Sequence, residues 1–135
     1  SLIQSAPLSG AVIVTTPSDV SLEDARKAIN MFGQVRVPIL GLVENMSYLV
    51  VPGLDQRIDV FGHGGGKKTA EQMNVHFLGE LALNPEVRIG GDTGRPIATR
   101  DGDPQAETFR ELARRMEARC QGEQEKAGPK ITVED

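Results

Sequence analysis

The sequence predicts an α/β fold whose mainly parallel sheet is covered by helices. Two nearly continuous β-branched apolar runs, at 9–16 and 37–45, enclose a stretch with helical periodicity. A third apolar run, at 75–83, again follows helix-forming residues. Strand, helix and strand joined by short links make a βαβ unit, with parallel strands and a right-handed crossover.

The elements follow in order. "SGAVIVTT" (9–16) lies between Gly10 and Pro17 and reads as a strand buried on both faces. In "SLEDARKAINMFG" (21–33), Ser21 is the expected N-cap, with Asp24 three residues on and Gly33 as the terminating glycine. Leu22, Ala25, Ile29 and Phe32 share one face of that helix. "VPILGLVEN" (37–45) is the second strand. "YLVVPGLDQRIDVF" (48–61) differs, because two short apolar pieces flank a Pro-Gly turn, as in a hairpin outside the main sheet. "KTAEQM" gives a short helix and "VHFLGELAL" (75–83) the third strand. Residues 84–104 read as a loop rich in Gly and Pro. Asp103-Pro104 opens the last helix, with Ala106, Phe109, Leu112, Ala113 and Met116 along one face. Residues 1–120 are thus expected to form the folded part, and 121–135 a polar, disordered tail.

Composition narrows the function classes. With 15 Lys and Arg against 19 Asp and Glu, the net charge of −4 argues against a nucleic-acid or anionic-membrane partner. No apolar run approaches the roughly 18 residues of a membrane span, and no signal peptide opens the sequence. The single Cys120 has no internal partner, which fits a reducing, cytoplasmic setting. The chain begins with Ser1 rather than Met, and three strands make a thin sheet; both suggest a segment of a longer protein.

The stretch "FGHGGGKKT" (61–69) invites reading as a phosphate loop. A G-x-x-x-x-G-K-[ST] loop needs its first glycine to turn the chain and its hydroxyl to hold magnesium. With Gly66-Lys67 as the G-K pair, Phe61 takes the first glycine position and Lys68 the hydroxyl position. With Lys68 as the lysine, Lys67 replaces the second glycine. Neither register works. Gly64, Gly65 and Gly66 could instead form a backbone anion nest aided by Lys67 and Lys68, or a tight turn into the helix, which is the favoured reading. His63 and His76 have no ligand spacing to each other, so no metal site is expected from them.

In this order, "GAVIVTTPSDVSLEDARKAINMF", "VPILGLVENMSYLV", "VFGHGGGKKTAEQ", "FLGEL" and "VRIGGDTGRPI" resemble the C-terminal half of the Mrp/ApbC family. These are cytosolic P-loop ATPases related to MinD and the nitrogenase iron protein, implicated as iron–sulfur cluster carriers. The resemblance runs from about Leu2 to Arg115. It implies a three-layer P-loop NTPase-like fold, a homodimer, iron–sulfur apoprotein clients, and ATP with Mg in the full-length protein. The family's deviant Walker A and magnesium-binding aspartate lie upstream of any residue here, so this segment alone is not expected to hydrolyse ATP.

The resemblance also places individual residues. Asn45 matches the asparagine that commonly hydrogen-bonds the adenine base; without the resemblance, the favoured reading is a residue that caps or turns the chain leaving the strand. Leu83 and Pro85 match, more weakly, the loop packing over the base, where Ala82 replaces a frequent proline. At the family's Cys-Pro-x-Cys, whose thiolates hold a [4Fe–4S] cluster between two subunits, this chain has Val51 and Leu54 around a retained Pro52. Valine and leucine cannot ligate iron, so a cluster at this place is not expected. The glycines Gly64, Gly65 and Gly66 would lie beside the dimer contact. Arg88, Asp92 and Arg95 match a further family stretch and could pair in a loop.

Two other functions fit the residues less well. One is a non-catalytic module derived from this ATPase fold, dimerising through the apolar 48–61 excursion. The other is a response-regulator-like domain, for which Glu44 is the only acid at the strand ends.

Overall fold

The computed structural model describes residues 5–51 and 53–127. Strands β1 (Ala11–Thr15), β2 (Ile39–Glu44) and β5 (Phe77–Glu80) form a parallel sheet in the order β1-β2-β5. Helix α1 (Asp19–Gln34) connects β1 to β2, and α2 (Gly65–Met73) leads into β5. Both pack on one face, where Ile13, Ala25, Ile29, Leu42 and Ala70 make a buried cluster flanked by Phe32, Met73 and Phe77. Helix α4 (Pro104–Ala127) covers the other face through Leu112, Phe109 and Met116 against Val43, Leu78, Leu81 and Val12. The result is the expected helix–sheet–helix layering, with β2 at its centre. The excursion is a two-stranded antiparallel hairpin, β3 (Leu49–Val50) with β4 (Arg57–Ile58), separate from the main sheet.

The boundaries differ from the sequence reading in ways with clear causes. α1 starts earlier, with Ser18 at its N-cap, because the Ser21 hydroxyl turns back to Thr15 Oγ1 (2.8 Å) and the Thr16 N–H (2.9 Å). Gly33 stays inside the helix, and Arg36 takes the left-handed position at φ 57° instead. Val37 N–H then bonds to Phe32 O and Arg36 N–H to Gly33 O, the Schellman pattern that normally recruits glycine. β1 is not buried on both faces: Val14 is 62% exposed, because β1 is an edge strand and α4 lies over β2 and β5.

Residues 84–104 are not a loop. They contain α3 (Pro85–Thr93) and a 3₁₀ turn, Ile97–Thr99. The Asn84 carboxamide oxygen accepts from Glu86 N–H at 3.0 Å, Pro85 occupies the first turn, and Gly94 closes the helix in the left-handed region. Arg88 pairs with Asp92 at 2.8 Å one turn along α3, on the solvent side; Arg95 lies beyond the helix. α4 begins as expected, with Asp103 Oδ1 accepting from Gln105 and Ala106 N–H. Ala113, expected on its apolar face, is exposed. α4 also continues to Ala127, so 121–127 are helical rather than a disordered tail. Good helix formers and the Glu123 pairs to Arg119 and Lys126 support that extension. Residues 128–135 lie outside the described residues.

Candidate functional site

The carboxyl ends of parallel strands are where open α/β sheets bind ligands, and here polar residues concentrate at the ends of β2 and β5. Glu44, the last residue of β2, is 1% exposed, and Ser47 is fully buried. Glu44 Oε1 accepts the Gly66 N–H at 2.9 Å. Ser47 Oγ lies 2.5 Å from Glu44 Oε2 and 2.5 Å from Glu80 Oε2, and its one proton goes to one carboxylate at a time. Glu44 and Glu80 face each other across the β2–β5 ladder.

On the outer side, Arg57 of the hairpin neutralises Glu80. Its Nη1 and Nη2 lie 3.4 and 3.3 Å from the Glu80 oxygens, its Nε is 3.1 Å from Asp59, and its guanidinium stacks 4.1 Å from the Tyr48 ring centroid. Burial alone would push the Glu80 carboxyl up. Hydrogen bonds from Ser47 and Arg57 outweigh it and hold that carboxyl below the usual glutamate range. The Glu80 hydrogen bond likewise holds Arg57 above its ordinary value.

The triple glycine is a packing device. Gly64 is the N-cap of α2 at φ 74°. A Cβ on Gly65 would meet Leu22 Cδ1 at 2.6 Å, and one on Gly66 would meet Glu44 Oε1 at 3.0 Å. The anion facing the Gly66 N–H is therefore the chain's own Glu44 carboxylate, while Lys67 and Lys68 point outward as exposed residues. This agrees with the tight-turn reading. Motif spacing did not single out Ser47, and Glu80 at the end of β5 joins Glu44 as a second acid at the strand ends, where Glu44 alone was expected.

The three residues matched to nucleotide contact lie at the same end of the sheet. Beyond the strands, segments 45–48 and 81–83 stay side by side through Ser47 N–H to Leu81 O and Leu83 N–H to Tyr48 O. Leu83 and Pro85 line a groove of about 780 Å³ with Tyr48, Val51 and the start of α4. Asn45 is half-buried and is not among that groove's lining residues. Its carboxamide oxygen accepts Met46 N–H at 2.8 Å. An edge contact to a base would thus use Nδ2 and the second lone pair of Oδ1.

Val51 and Leu54 flank one tight turn, closed by the Leu54 N–H to Val51 O hydrogen bond at 3.1 Å, with Gly53 at φ 86°. Pro52 lies outside the described residues. The flanks of this turn offer hydrocarbon, not thiolate. Cys120 sits on α4, and among the described residues no group of three or more His, Cys, Asp or Glu is placed to hold a metal. The donor set does not fit an iron–sulfur cluster. His63 Nδ1 instead sits 3.2 Å from Arg57 Nη2 and 3.7 Å from Asp59. No described helix is long and apolar enough to cross a membrane.

Comparison with known proteins gives a consistent result. The chain is 43% identical over 116 residues to the "Iron-sulfur cluster transfer protein NUBPL" of Dictyostelium discoideum, covering 85% of this chain and 36% of that protein. It is 44% identical over 115 residues to an "Iron-sulfur cluster carrier protein" of Pyrococcus horikoshii, covering 85% of this chain and 39% of that one. The chain therefore spans well under half the length of these curated relatives.

Among solved structures, it resembles a nucleotide-binding protein from Archaeoglobus fulgidus in complex with ADP. The TM-score is 0.63 at 31% identity, over 77% of this chain and 42% of that one. The cell division ATPase MinD of Pyrococcus furiosus shares the fold, with a TM-score of 0.61 at 24% identity over 82% of this chain and 43% of that one. Residues 1–117 match the family described as ParA: NUBPL iron-transfer P-loop NTPase. By this match the chain belongs to the NUBPL iron-transfer P-loop NTPases.

Proposed function

We propose that this chain supplies the base-side nucleotide contacts and the hairpin surface of an ATP-dependent iron–sulfur cluster carrier. The observation that carries this reading is the family match over 1–117. The ADP complex of a structural relative and the placement of Asn45, Leu83 and Pro85 at one end of the sheet support it. In this reading Asn45 contacts the adenine edge, and Leu83 and Pro85 cover the base. The phosphates and Mg are held by polypeptide outside this chain, since among the described residues no glycine or lysine forms a phosphate loop. The chain by itself does not turn over ATP. The whole protein works in the cytoplasm as a homodimer that delivers clusters to apoprotein clients. The cluster is cargo, and Val51 and Leu54 give it no ligand at the hairpin.

The test is nucleotide binding by the whole protein. Asn45→Ala removes a hydrogen bond pair and should weaken ADP binding on the order of tenfold, with reduced preference for adenine over guanine nucleotides. Unchanged affinity and preference would remove Asn45 from the site. Anaerobic reconstitution with iron and sulfide adds a second check: a broad band near roughly 400 nm would show thiolate ligands elsewhere in the protein.

A second reading, a dimerising module without catalysis, is favoured by one observation. Val50, Leu54, Ile58, Val60 and Phe61 are all exposed on or beside the hairpin. Light scattering on Leu54→Asp decides it: a dimer that persists, or a wild type that is already monomeric, removes the idea.

A further inference from the structure

The hairpin that carries Val51 and Leu54 has no core of its own. Its strands are two residues each, and residues 53–63 are exposed throughout. A two-stranded hairpin of this size is not stable by itself in water. One residue of β4, Arg57, reaches from it back to the main sheet. Its guanidinium forks onto both Glu80 oxygens and lies over the Tyr48 ring, and its remaining edge faces Asp59 and His63. Glu80 is the last residue of β5, and it continues inward through Ser47 to Glu44 and the Gly66 N–H at the start of α2.

We propose that Arg57 is a positioning residue that latches the hairpin to Glu80 at the end of β5, where Ser47 gives its one proton to Glu80 or to Glu44 in turn and Glu44 takes the Gly66 N–H. The hairpin and the N-terminus of α2 then share one polar support. The chemistry favours arginine here. A planar guanidinium can stack on an aromatic face and fork onto a carboxylate at once, which an ammonium cannot. The outer pair is half-exposed, at 36% for each side chain, so the latch is releasable by salt or by a competing charged surface. Ser47 and Glu44 are buried and keep the root of the latch fixed. The inference does not depend on the nucleotide reading.

Hydrogen exchange on the whole protein tests it, comparing peptides spanning 49–62, 64–69 and 11–15. Arg57→Ala should speed exchange in 49–62 on the order of tenfold, the sum of an exposed ion pair and a cation–π contact. A smaller rise is expected in 64–69 and none in 11–15. Glu80→Gln should give a similar pattern, and the double variant should add little, because both remove one contact. Arg57→Lys should restore protection only in part. Raising the ionic strength should speed hairpin exchange in the wild type and leave Arg57→Ala unaffected. Unchanged exchange in 49–62 for Arg57→Ala, an equal rise in 11–15, or fully additive single effects would each overturn the latch.

Discussion

Replacing glycine by alanine at two helical positions should move stability in opposite directions, and the structure gives the size of each effect. At Gly33, in the last turn of α1, a new Cβ meets nothing within 4 Å. The substitution restricts the unfolded chain and improves helix propensity, so it should stabilise by about 0.5–1 kcal/mol. At Gly66 the same methyl would sit 3.0 Å from Glu44 Oε1, 3.1 Å from its Cβ and 3.3 Å from its Cδ. Glu44 has nowhere to go. It is 1% exposed, and one oxygen holds the Gly66 N–H while the other holds Ser47. Overpacking of this kind costs about 1–3 kcal/mol, and up to about 1 kcal/mol returns as helix propensity. The net expectation for Gly66→Ala is a loss of about 1–2 kcal/mol. With a urea m-value of about 1.5–2 kcal/mol/M, the unfolding midpoint should fall by roughly 0.5–1 M. Equilibrium unfolding by circular dichroism reads both variants side by side. A Gly66→Ala protein that unfolds at or above the wild-type midpoint would refute the view that position 66 is glycine to admit Glu44.

Leu42→Ala empties the centre of the sheet, where Leu42 is fully buried in the α1–α2 cluster, and should cost about 2–5 kcal/mol in the same assay. For Glu80 the sign of the pH effect is set by its lowered carboxyl: the contribution is present above the unfolded glutamate value of 4.5 and is lost as pH falls through the lower folded one. Hairpin protection should therefore weaken below about pH 4.5 in the wild type. Hydrogen exchange corrected for intrinsic rates should find that dependence flattened in Glu80→Gln.

Much of this fold was legible because its signals are local. The β-branched runs at 9–16 and 37–45 and the helical period between them each specify their own element, and all recur in the structure. Where the reading failed, a nonlocal or competing contact decided. Ser21 has the chemistry of a cap, but Thr15 and Thr16 claim its hydroxyl, and the helix begins at Ser18. Residues 84–104 looked like a loop for their glycines and prolines. Yet Asn84, Pro85 and Gly94 are the start and stop signals of a short helix, and Gly90 is buried where an added Cβ would meet Arg95 O at 2.6 Å. At the site, the position of Asn45 followed from its strand. The Glu44–Ser47–Glu80–Arg57 chain did not, because its members are separated by up to 36 residues and meet only after β5 and the hairpin fold back.

The bare flank of β1 has a practical consequence. Ala11 N–H and Thr15 O are engaged on the β2 side. In a parallel ladder alternate residues turn their peptide groups the other way, which leaves Val12 and Val14 presenting donors and acceptors outward beside an uncovered valine side chain. Such a margin recruits whatever extended peptide comes near, including another misfolding copy. A preparation of this segment should keep better in solution once Val14 carries a charge, and whatever natural neighbour sheathes that margin must bring its own row of peptide groups to meet it.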